Sequence, residues 1–468
     1  MIKFNPDKLE EVYKFQEKSF KHNEKKYLEV LPFTTNNKNI DDIYENFSDI
    51  LSVICKNLIK KDIKNNFDKE VFFQKVNDLM IDSDNINRLK MIIQDLYFEE
   101  DNIINFNPKI YLYKEEGNLR IKDMGNFIFN ILFYNLENHI FEEEKYLDDI
   151  NVLEKLILNA LESAFELKEI NKKTNTKYKS LLPFVNEVFM EDIKFIMQDS
   201  KLFLENFLEL IKLYYMFYCT QLVIKLDALL DTDLTKPSEL YFNLYEEKIS
   251  ESRLGFSRGF KTIESKGRNL FAHVNTINFL NYAIEDEKIF SYTDIKNALE
   301  NLESEDIKKE SQNVDIISNR YKENLKKSNG EEFFDDMIFE PNDNELINSI
   351  YYFNSLVKHV FKNDQGKSGV ANKYKNWIEN FLRKHYSRKR GRYGSCLSLK
   401  REQLIFLTKI CIKDKENIRL TSLFKEFERR GIFFDKKSKE ETTNLFEKLN
   451  LLEKKSDSGD AKYVRRIL

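Results

Sequence analysis

The feature that most constrains this fold is a shortage of residues that interrupt regular secondary structure. The 468-residue chain contains only 12 glycines and 6 prolines, together about 4% of its residues, whereas globular proteins typically contain about 12%. Glycine and proline mark turns and helix ends. Their scarcity therefore favours long, uninterrupted elements, and the 39 phenylalanines and 23 tyrosines predict cores built from large aromatic side chains.

Hydrophobic periodicity predicts a mainly α (α+β) fold with a multi-helix body. The segment IDDIYENFSDILSVICKNLIKK, 40–61, is one of several with apolar residues at helical spacing. A different pattern occurs in KIYLYKEEGNLRIKDMG, 109–125, which alternates on both sides of Gly117 and Asn118. Those two residues tolerate the positive φ of a tight turn, so this stretch predicts a small β-hairpin insertion.

Charge divides the chain into unequal parts. Residues 381–468 contain 24 lysines and arginines but only 12 acidic residues, a net charge of +12, which leaves −16 on the remainder. A basic end on an acidic body indicates an anionic partner for that end, although a merely solvated basic surface is the alternative. We expect four segments: an acidic helical body (1–300), a polar mobile connection (301–345), a helix with a basic arm (346–398) and a winged-helix domain (399–468).

The last seventy residues have the most regular pattern of cap and turn signals. Thr421 is a suitable helix N-cap, and Gly431 is a suitable helix stop. The elements are predicted in the order helix (399–413), strand (418–420), helix (421–431), helix (from Asp435 or Ser438 to Leu449) and a hairpin (451–467) with its turn at 456–460. This is the element order of a winged helix, a variant of the helix-turn-helix.

The arm RKHYSRKRGRYG, 383–394, concentrates arginines, whose guanidinium groups bind phosphate through paired hydrogen bonds. Its Gly391 and Gly394 allow the backbone to approach a ligand closely. We expect the arm and the winged helix to contact double-stranded DNA largely through phosphates; the alternative is a basic linker that docks on the acidic body or on a partner. The predicted DNA-binding residues are Arg388, Lys389, Arg390 and Arg392 on the arm, Lys436, Lys437 and Lys439 at the start of the third helix, and Lys454, Lys455 and Lys462 on the wing.

No motif for catalysis or for a cofactor is recognised. Gly366-Lys367-Ser368 matches the end of a phosphate-binding loop, but Phe361 occupies the position where that motif needs its first glycine. The five histidines are far apart, and the four cysteines form no CxxC pair, so no metal site is predicted. We therefore expect no cofactor, no metal and free thiols in a reducing compartment.

The most apolar window, LYYMFYCTQLVI at 213–224, is bounded by Lys212 and Lys225. Twelve residues are too few to cross a bilayer, which needs about 20. The first residues, MIKFNPDKLEEVYKF, lack the apolar core of a signal peptide. We expect a soluble, cytoplasmic protein with no membrane partner.

Two parts of the chain resemble the DptG (DndG) family, a component of bacterial phosphorothioation-dependent restriction systems. The terminal block is the most similar, in GIFFD at 431–435 and LNLLEKKSDSGDAKYVR at 449–465, and the body is similar in EKISESR at 247–253 and NLFAHVNTINFLN at 269–281. The resemblance implies a defence subunit that acts beside an ATPase and a helicase-like subunit on DNA lacking the host's backbone sulfur. It implies no catalytic residues for this chain.

The combined expectation is a non-catalytic subunit that contacts double-stranded DNA and bridges partner proteins in an anti-phage restriction complex. One alternative is a metal-dependent nuclease, because carboxylate pairs such as Glu99-Glu100 and Asp335-Asp336 are able to converge on a divalent ion. Another is a winged-helix transcriptional regulator, which binds one operator, usually as a symmetric dimer. Winged helices also dock proteins, and acidic residues within the terminal block dilute its positive charge.

Overall fold

A computed structural model of the chain describes residues 2–15, 21–22, 29–35, 40–80, 85–115, 117–134, 136, 151–170, 178–341, 343–454 and 462–467. Helices dominate these residues and the strands are short, so the predicted mainly α fold is confirmed. The chain forms two compact units. Unit 1 comprises Met1–Ile40, Leu181–Phe184 and Met216–Leu468, and unit 2 comprises Asp41–Ser180 and Val185–Tyr215.

Eighteen α-helices lie within the described residues. Those that begin before residue 200 are α1 (Pro6–Tyr13), α2 (Ile40–Glu45), α3 (Ile50–Ile59), α4 (Lys69–Leu79), α5 (Ile86–Tyr97), α6 (Leu119–Leu132), α7 (Val152–Ala164) and α8 (Pro183–Ile196). The others are α9 (Ser200–Asp227), α10 (Lys261–Gly267), α11 (Leu270–Ala283), α12 (Tyr292–Leu299), α13 (Ser304–Asn329), α14 (Glu345–Asn363), α15 (Gln365–His385), α16 (Arg401–Ile412), α17 (Leu420–Arg429) and α18 (Lys436–Lys448).

The strands form four small sheets within the described residues. The strands are β1 (Lys61–Ile63), β2 (Phe98–Glu99), β3 (Asn102–Ile103), β4 (Leu167–Glu169), β5 (Tyr241–Leu244), β6 (Ser387–Lys389), β7 (Ser395–Leu399), β8 (Asn417–Arg419), β9 (Phe433–Phe434), β10 (Leu452–Lys454) and β11 (Lys462–Arg465). The pairs β1–β4 and β2–β3 belong to unit 2. The four-stranded sheet β6-β7-β5-β9 and the three-stranded sheet β10-β11-β8 belong to unit 1.

Unit 2 is organised around α3, in which eight of the ten residues are buried. Two lysines are buried beside it, and each has a carboxylate partner: Lys56 lies 2.8 Å from Asp62, and Lys114 lies 2.9 Å from Asp49. A buried ammonium group without such a partner would cost several kcal/mol. These pairs therefore let the polar side chains of α3 and of residues 110–114 enter an otherwise apolar core.

Unit 1 is organised around α11, which is buried on nearly every face. This helix contains three asparagines, spaced three residues apart among aromatic and aliphatic residues. Each asparagine side chain forms a hydrogen bond within the helix. Asn275, Asn278 and Asn281 each donate a hydrogen bond to the carbonyl oxygen four residues earlier, at 2.7–2.8 Å. Because buried polar groups need partners, this local bonding allows α11 to pack against α1, α14 and α15.

The predicted hairpin at 109–125 is wrong. Residues Ile110–Leu112 form a 3₁₀ turn, and α6 begins at Leu119. The side chain of Asn118 accepts hydrogen bonds from the N–H groups of Arg120 and Ile121, at 2.9 and 3.1 Å, so this residue caps a helix instead of turning a hairpin. The apolar residues before Gly117 alternate in sequence, but all of them are buried.

The polar connection predicted at 301–345 is also wrong, because most of it is the 26-residue helix α13. Its buried face is formed by Val314, Ile317, Tyr321 and Leu325, which pack against α14. Four apolar residues spread over twelve positions give a narrow stripe. The many charged residues of the exposed face conceal that stripe in the sequence.

The apolar window at 213–224 lies inside α9, which is 28 residues long. By length and composition this is the one helix of the described residues that is able to span a membrane, but 83% of its most apolar 18-residue window is buried inside the protein. The core helix of a soluble protein has the same properties, so burial in the protein accounts for its composition.

The terminal segment is joined to the body through β5. This strand pairs in parallel with β7 on one side and with β9 on the other. The strand before α16 and the strand between α17 and α18 therefore share one sheet with β5. The other elements after α16 follow the predicted order, whereas β9 was not predicted, and β11 lies between β8 and β10.

Candidate nucleic-acid interface

The predicted basic arm is a β-hairpin, called here the basic hairpin (Ser387–Leu399). Its strands β6 and β7 are antiparallel, with Arg388 opposite Cys396 and Lys389 opposite Ser395. The turn between them contains Gly391 and Gly394, whose φ angles are +56° and +71°. Only glycine adopts such angles readily, so these glycines form the turn, and no ligand is needed to explain them.

Two predicted DNA-binding arginines hold the basic hairpin against the end of β5. Arg388 donates a hydrogen bond to the carbonyl oxygen of Tyr245 and lies 3.3 Å from Glu246. Arg390 donates to the carbonyl oxygens of Leu244 and Tyr245, at 3.0 and 2.8 Å. Burial lowers the pKa of the Arg390 guanidinium, and the neighbouring Arg388 lowers it further. Both guanidinium groups are therefore already hydrogen-bonded to backbone carbonyl oxygens of the protein.

The arm has two further predicted DNA-binding residues, Lys389 and Arg392. Lys389 is exposed and, because side chains alternate along a strand, it lies on the sheet face opposite Arg388. Arg392 is also exposed; its guanidinium lies 4.9 Å from the ring centre of Tyr393 and donates a hydrogen bond to its hydroxyl at 2.7 Å. Lys389 has no ion pair with any other residue that the structure describes.

The N-terminus of α18 is held on the body by one buried charge cluster, called here the Arg253 cluster. Arg253 contacts both carboxylate oxygens of Asp435 at 2.7 Å, forms an ion pair with Glu247 and donates to the hydroxyl of Ser438 at 3.0 Å. Asp435 is the N-cap of α18. Burial would raise the pKa of Asp435, but hydrogen bonds from Arg253 and from the Ser438 N–H hold it below its ordinary value.

Of the predicted basic residues of the third helix and the wing, four have described side chains, and three of these four have acidic neighbours. Lys437 lies 3.4 Å from Glu440 and 3.1 Å from Glu441. Lys439 lies 2.9 Å from Glu428, and Lys462 lies 3.4 Å from Glu447. Lys436 is exposed at the start of α18. Lys454 ends β10, where its backbone alone is described, and Lys455 with the predicted turn at 456–460 lies outside the described residues.

A cleft of about 600 Å³ lies along α18. Its walls are the exposed side of α18, the N-terminus of α16 and the residues that follow β5. Three exposed cations line it, Lys400, Arg401 and Lys448, together with the amide of Asn444. None of the three cations forms an ion pair with another described residue. Four carboxylates also line the cleft. Glu246, Glu247 and Glu441 are already paired with Arg388, Arg253 and Lys437, whereas Glu402 adds an unpaired negative charge.

The cations of this cleft were missed at the sequence level, although a signal exists. Arg401 is the first residue of α16, and Lys400 directly precedes it. Positive charge is unfavourable at a helix N-terminus, because the helix dipole is positive there. Two adjacent cations at a helix start are therefore a sign of an anionic ligand or partner. The contribution of Lys448 has no comparable local signal, since it depends on how α18 packs beside α16.

Within the described residues, no group of three or more histidine, cysteine, aspartate or glutamate side chains is arranged to hold a metal ion. The four cysteines are buried and form no disulfide bond with one another. Neither protein-family models nor curated proteins match this chain.

Proposed function

We propose that this chain is a non-catalytic subunit that contacts double-stranded DNA through its terminal segment and bridges partner proteins in a bacterial restriction complex. The observation that carries the proposal is the convergence of Lys400, Arg401 and Lys448 on one cleft beside α18. Unpaired cations gathered on one exposed surface favour binding of a phosphate backbone.

The topology of residues 399–468 supports the assignment of a winged-helix module. The order helix, strand, helix, helix, hairpin is present, and the hairpin strand β11 pairs with β8, the strand between the first two helices. In such modules the third helix enters the major groove. Here that helix is α18, whose exposed side lines the cleft.

The residues that we propose as DNA contacts differ from those predicted from the sequence. The unpaired cations at Lys400, Arg401, Lys436 and Lys448 are the primary candidates, since Lys437, Lys439 and Lys462 are paired with carboxylates. Exposed surface pairs contribute little, so these lysines are able to exchange a carboxylate for a phosphate at small cost. Arg388 and Arg390 are assigned to the internal support of the hairpin.

A bridging role is supported by the exposed apolar residues of α5 in unit 2. Met91, Ile92 and Leu96 expose 66%, 42% and 53% of their surfaces. Neighbouring exposed apolar side chains on one helix are typical of a protein-binding surface. We propose that this surface docks a partner subunit, and the resemblance to the DptG (DndG) family suggests an ATPase and a helicase-like protein as partners, in the cytoplasm.

Incubation of the purified full-length chain with plasmid DNA and Mg²⁺ or Mn²⁺ tests this proposal against its alternatives. We expect the plasmid to be retarded in a gel but neither nicked nor cut, and two duplexes of unrelated sequence to bind with similar affinity, because phosphate contacts do not depend on sequence. Reproducible cleavage would support the nuclease alternative. A preference of about 1000-fold or more for one operator, on the order typical of specific binding, would support the regulator alternative.

A further inference from the structure

A second surface of unit 1 combines exposed cations with partly exposed aromatic rings. It is called here the aromatic strip and consists of Arg392, Tyr393, Phe256 and Lys261. The guanidinium of Arg392 lies 4.9 Å from the ring centre of Tyr393, the Tyr393 and Phe256 rings meet edge to face at 5.4 Å, and the ammonium group of Lys261 lies 3.5 Å from the ring centre of Phe256. The two rings therefore contact each other, and one cation lies at each end of the strip.

The strip is built from two unusual backbone features that face each other. Tyr393 and Arg392 lie in the glycine-flanked turn of the basic hairpin. Phe256 begins a kinked segment, Phe256–Phe260, in which Arg258 and Gly259 have non-helical backbone angles, and this segment packs on β5 and β7. A Cβ at Gly259 would lie 2.8 Å from the carbonyl oxygen of Tyr241, so glycine is required for this approach.

The charge around the strip is positive and not neutralised within the described part of the chain. Arg392, Lys261 and Lys389 form no ion pair with a described carboxylate. Lys389 lies on the same sheet face as Leu397, the side on which Gly259 of the kinked segment packs. Arg383 stacks at 5.1 Å on Phe260 near one end, but it is paired with Glu379 at 2.7 Å. The surface thus offers three unpaired cations around two partly exposed rings.

We propose that the aromatic strip binds unpaired nucleotides of a DNA strand. Aromatic rings bind bases by stacking, and neighbouring cations bind the phosphates between them. A base that stacks on Tyr393 replaces the guanidinium of Arg392 on that ring, and the freed guanidinium then reaches the adjacent phosphate. In an intact duplex the base faces are covered by their neighbours, so the rings select single-stranded DNA.

This proposal rests on the proposed function only in taking DNA as the ligand, since the strip and the cleft beside α18 use different residues. A subunit with both surfaces is able to hold a duplex at the cleft while an opened strand lies on the strip. The two claims therefore fail independently: loss of single-strand binding leaves duplex binding in place, and the reverse also holds.

The test compares two single-stranded probes of equal length and charge on the full-length protein by fluorescence anisotropy. One probe is an oligo-dT of about 12 nucleotides, within the site sizes typical of single-strand binding, and the other is the same backbone with an abasic sugar at every position. We expect oligo-dT to bind about tenfold more tightly or better, the range expected for stacking on aromatic side chains. The Tyr393→Ala variant should lower oligo-dT affinity by about tenfold while leaving the abasic and duplex probes unchanged.

The control variant is Tyr352→Ala on α14. Tyr352 is also partly exposed and meets Phe339 edge to face at 5.3 Å, so its replacement removes the same kind of ring packing at a distant place. A second strip variant, Phe256→Leu, keeps apolar packing and removes only the ring. Equal affinity for the two probes, or equal losses of affinity in Tyr393→Ala and Tyr352→Ala, would overturn the proposal and indicate binding through phosphates alone or an acidic protein ligand.

Discussion

Replacing Arg253 with methionine is expected to lower the free energy of unfolding by about 3–5 kcal/mol, the range measured when one partner of a buried charge cluster is removed. The side chains of Glu247 and Asp435 are only 2% and 8% exposed, so without Arg253 two carboxylates remain buried with no cation. The N-terminus of α18 would then lose its main attachment to the body. Chemical denaturation measures the change, and faster hydrogen exchange in α18 locates it.

The matched control is Arg258→Met, on the same segment. Arg258 forms an ion pair with Glu239 at 3.3 Å, but the side chains are 62% and 55% exposed. Exposed pairs contribute about 0–1 kcal/mol, so this variant should remain near wild-type stability. Neutralising both carboxylates in the background of Arg253→Met, with Glu247→Gln and Asp435→Asn, should restore part of the stability. Equal destabilisation by Arg253→Met and Arg258→Met would show that the cluster does not anchor α18.

Acidification from about pH 6.5 to about pH 4 is expected to destabilise the protein through two buried histidines. Burial, with a further contribution from Lys367, lowers the pKa of His22 to about 3, and burial lowers the pKa of His273 to about 4. In the unfolded chain both histidines have a pKa of about 6.5. The folded protein therefore binds fewer protons than the unfolded chain in this window, so stability is fully present above about pH 6.5 and falls as the pH decreases.

The expected size of this effect follows from the pKa differences. One pKa unit corresponds to about 1.4 kcal/mol, so each histidine lowers the free energy of unfolding by roughly 3 kcal/mol across this window. Denaturation series at several pH values, with the double variant His22→Leu/His273→Leu as the comparison, measure it. The double variant should be much less sensitive to pH in this window. A pH dependence as steep as that of the wild type would contradict the explanation.

Burial keeps His273 neutral in the folded protein, although the neighbouring Asp227 raises the pKa of this histidine. The Nε2 atom of His273 lies 3.6 Å from Asp227, too far for a hydrogen bond. The carboxylate instead accepts hydrogen bonds from Lys266 at 2.6 Å and from Asn269 at 3.0 Å. Burial opposes its charge, but His273, Lys266, Asn269 and Lys358 together keep the pKa of Asp227 below its ordinary value. Two lysines compensate its negative charge, Lys266 at 2.6 Å and Lys358 at 3.7 Å.

The predictions from sequence succeeded where local pattern decides structure. The helical periodicity, the scarcity of glycine and proline, and the capping residue Asp435 are all local, and the helices and the element order of the terminal segment follow from them. The errors arose where local patterns are ambiguous. Asn118 suits a turn and a helix cap equally well, and the buried stripe of α13 is too sparse to be recognised among its charged residues.

The candidate site was predicted less completely, because its parts are distant in the sequence. Arg388 and Arg390 donate to carbonyl groups 143 and 146 positions away, and Arg253 contacts Asp435 across 182 positions. Pairing of this kind depends on how β5 joins the terminal segment, which no motif indicates. A charge count identified the basic end of the chain, but it does not distinguish cations that support the fold from those that face solvent.

The strand pairing with β5 makes truncation of the terminal segment a poor test of DNA binding. A chain that ends at Asn380 lacks β6, β7 and β9, which pair with one another or with β5. Truncation would therefore disturb the body of unit 1 as well as remove the basic end. Substitution of exposed cations, which leaves the sheet intact, separates the two effects.

The most direct measurement of the central claim is a duplex-binding titration across salt concentration. The variant Lys400→Gln/Arg401→Gln/Lys448→Gln is compared with the control Lys308→Gln/Lys309→Gln/Lys327→Gln, which removes three exposed charges from α13. We predict that the first variant binds more weakly and that its slope of log affinity against log salt falls in magnitude by up to about 3, near one for each phosphate that is no longer neutralised. The control should keep the wild-type slope. Identical slopes in both variants would contradict the assignment of this cleft to DNA.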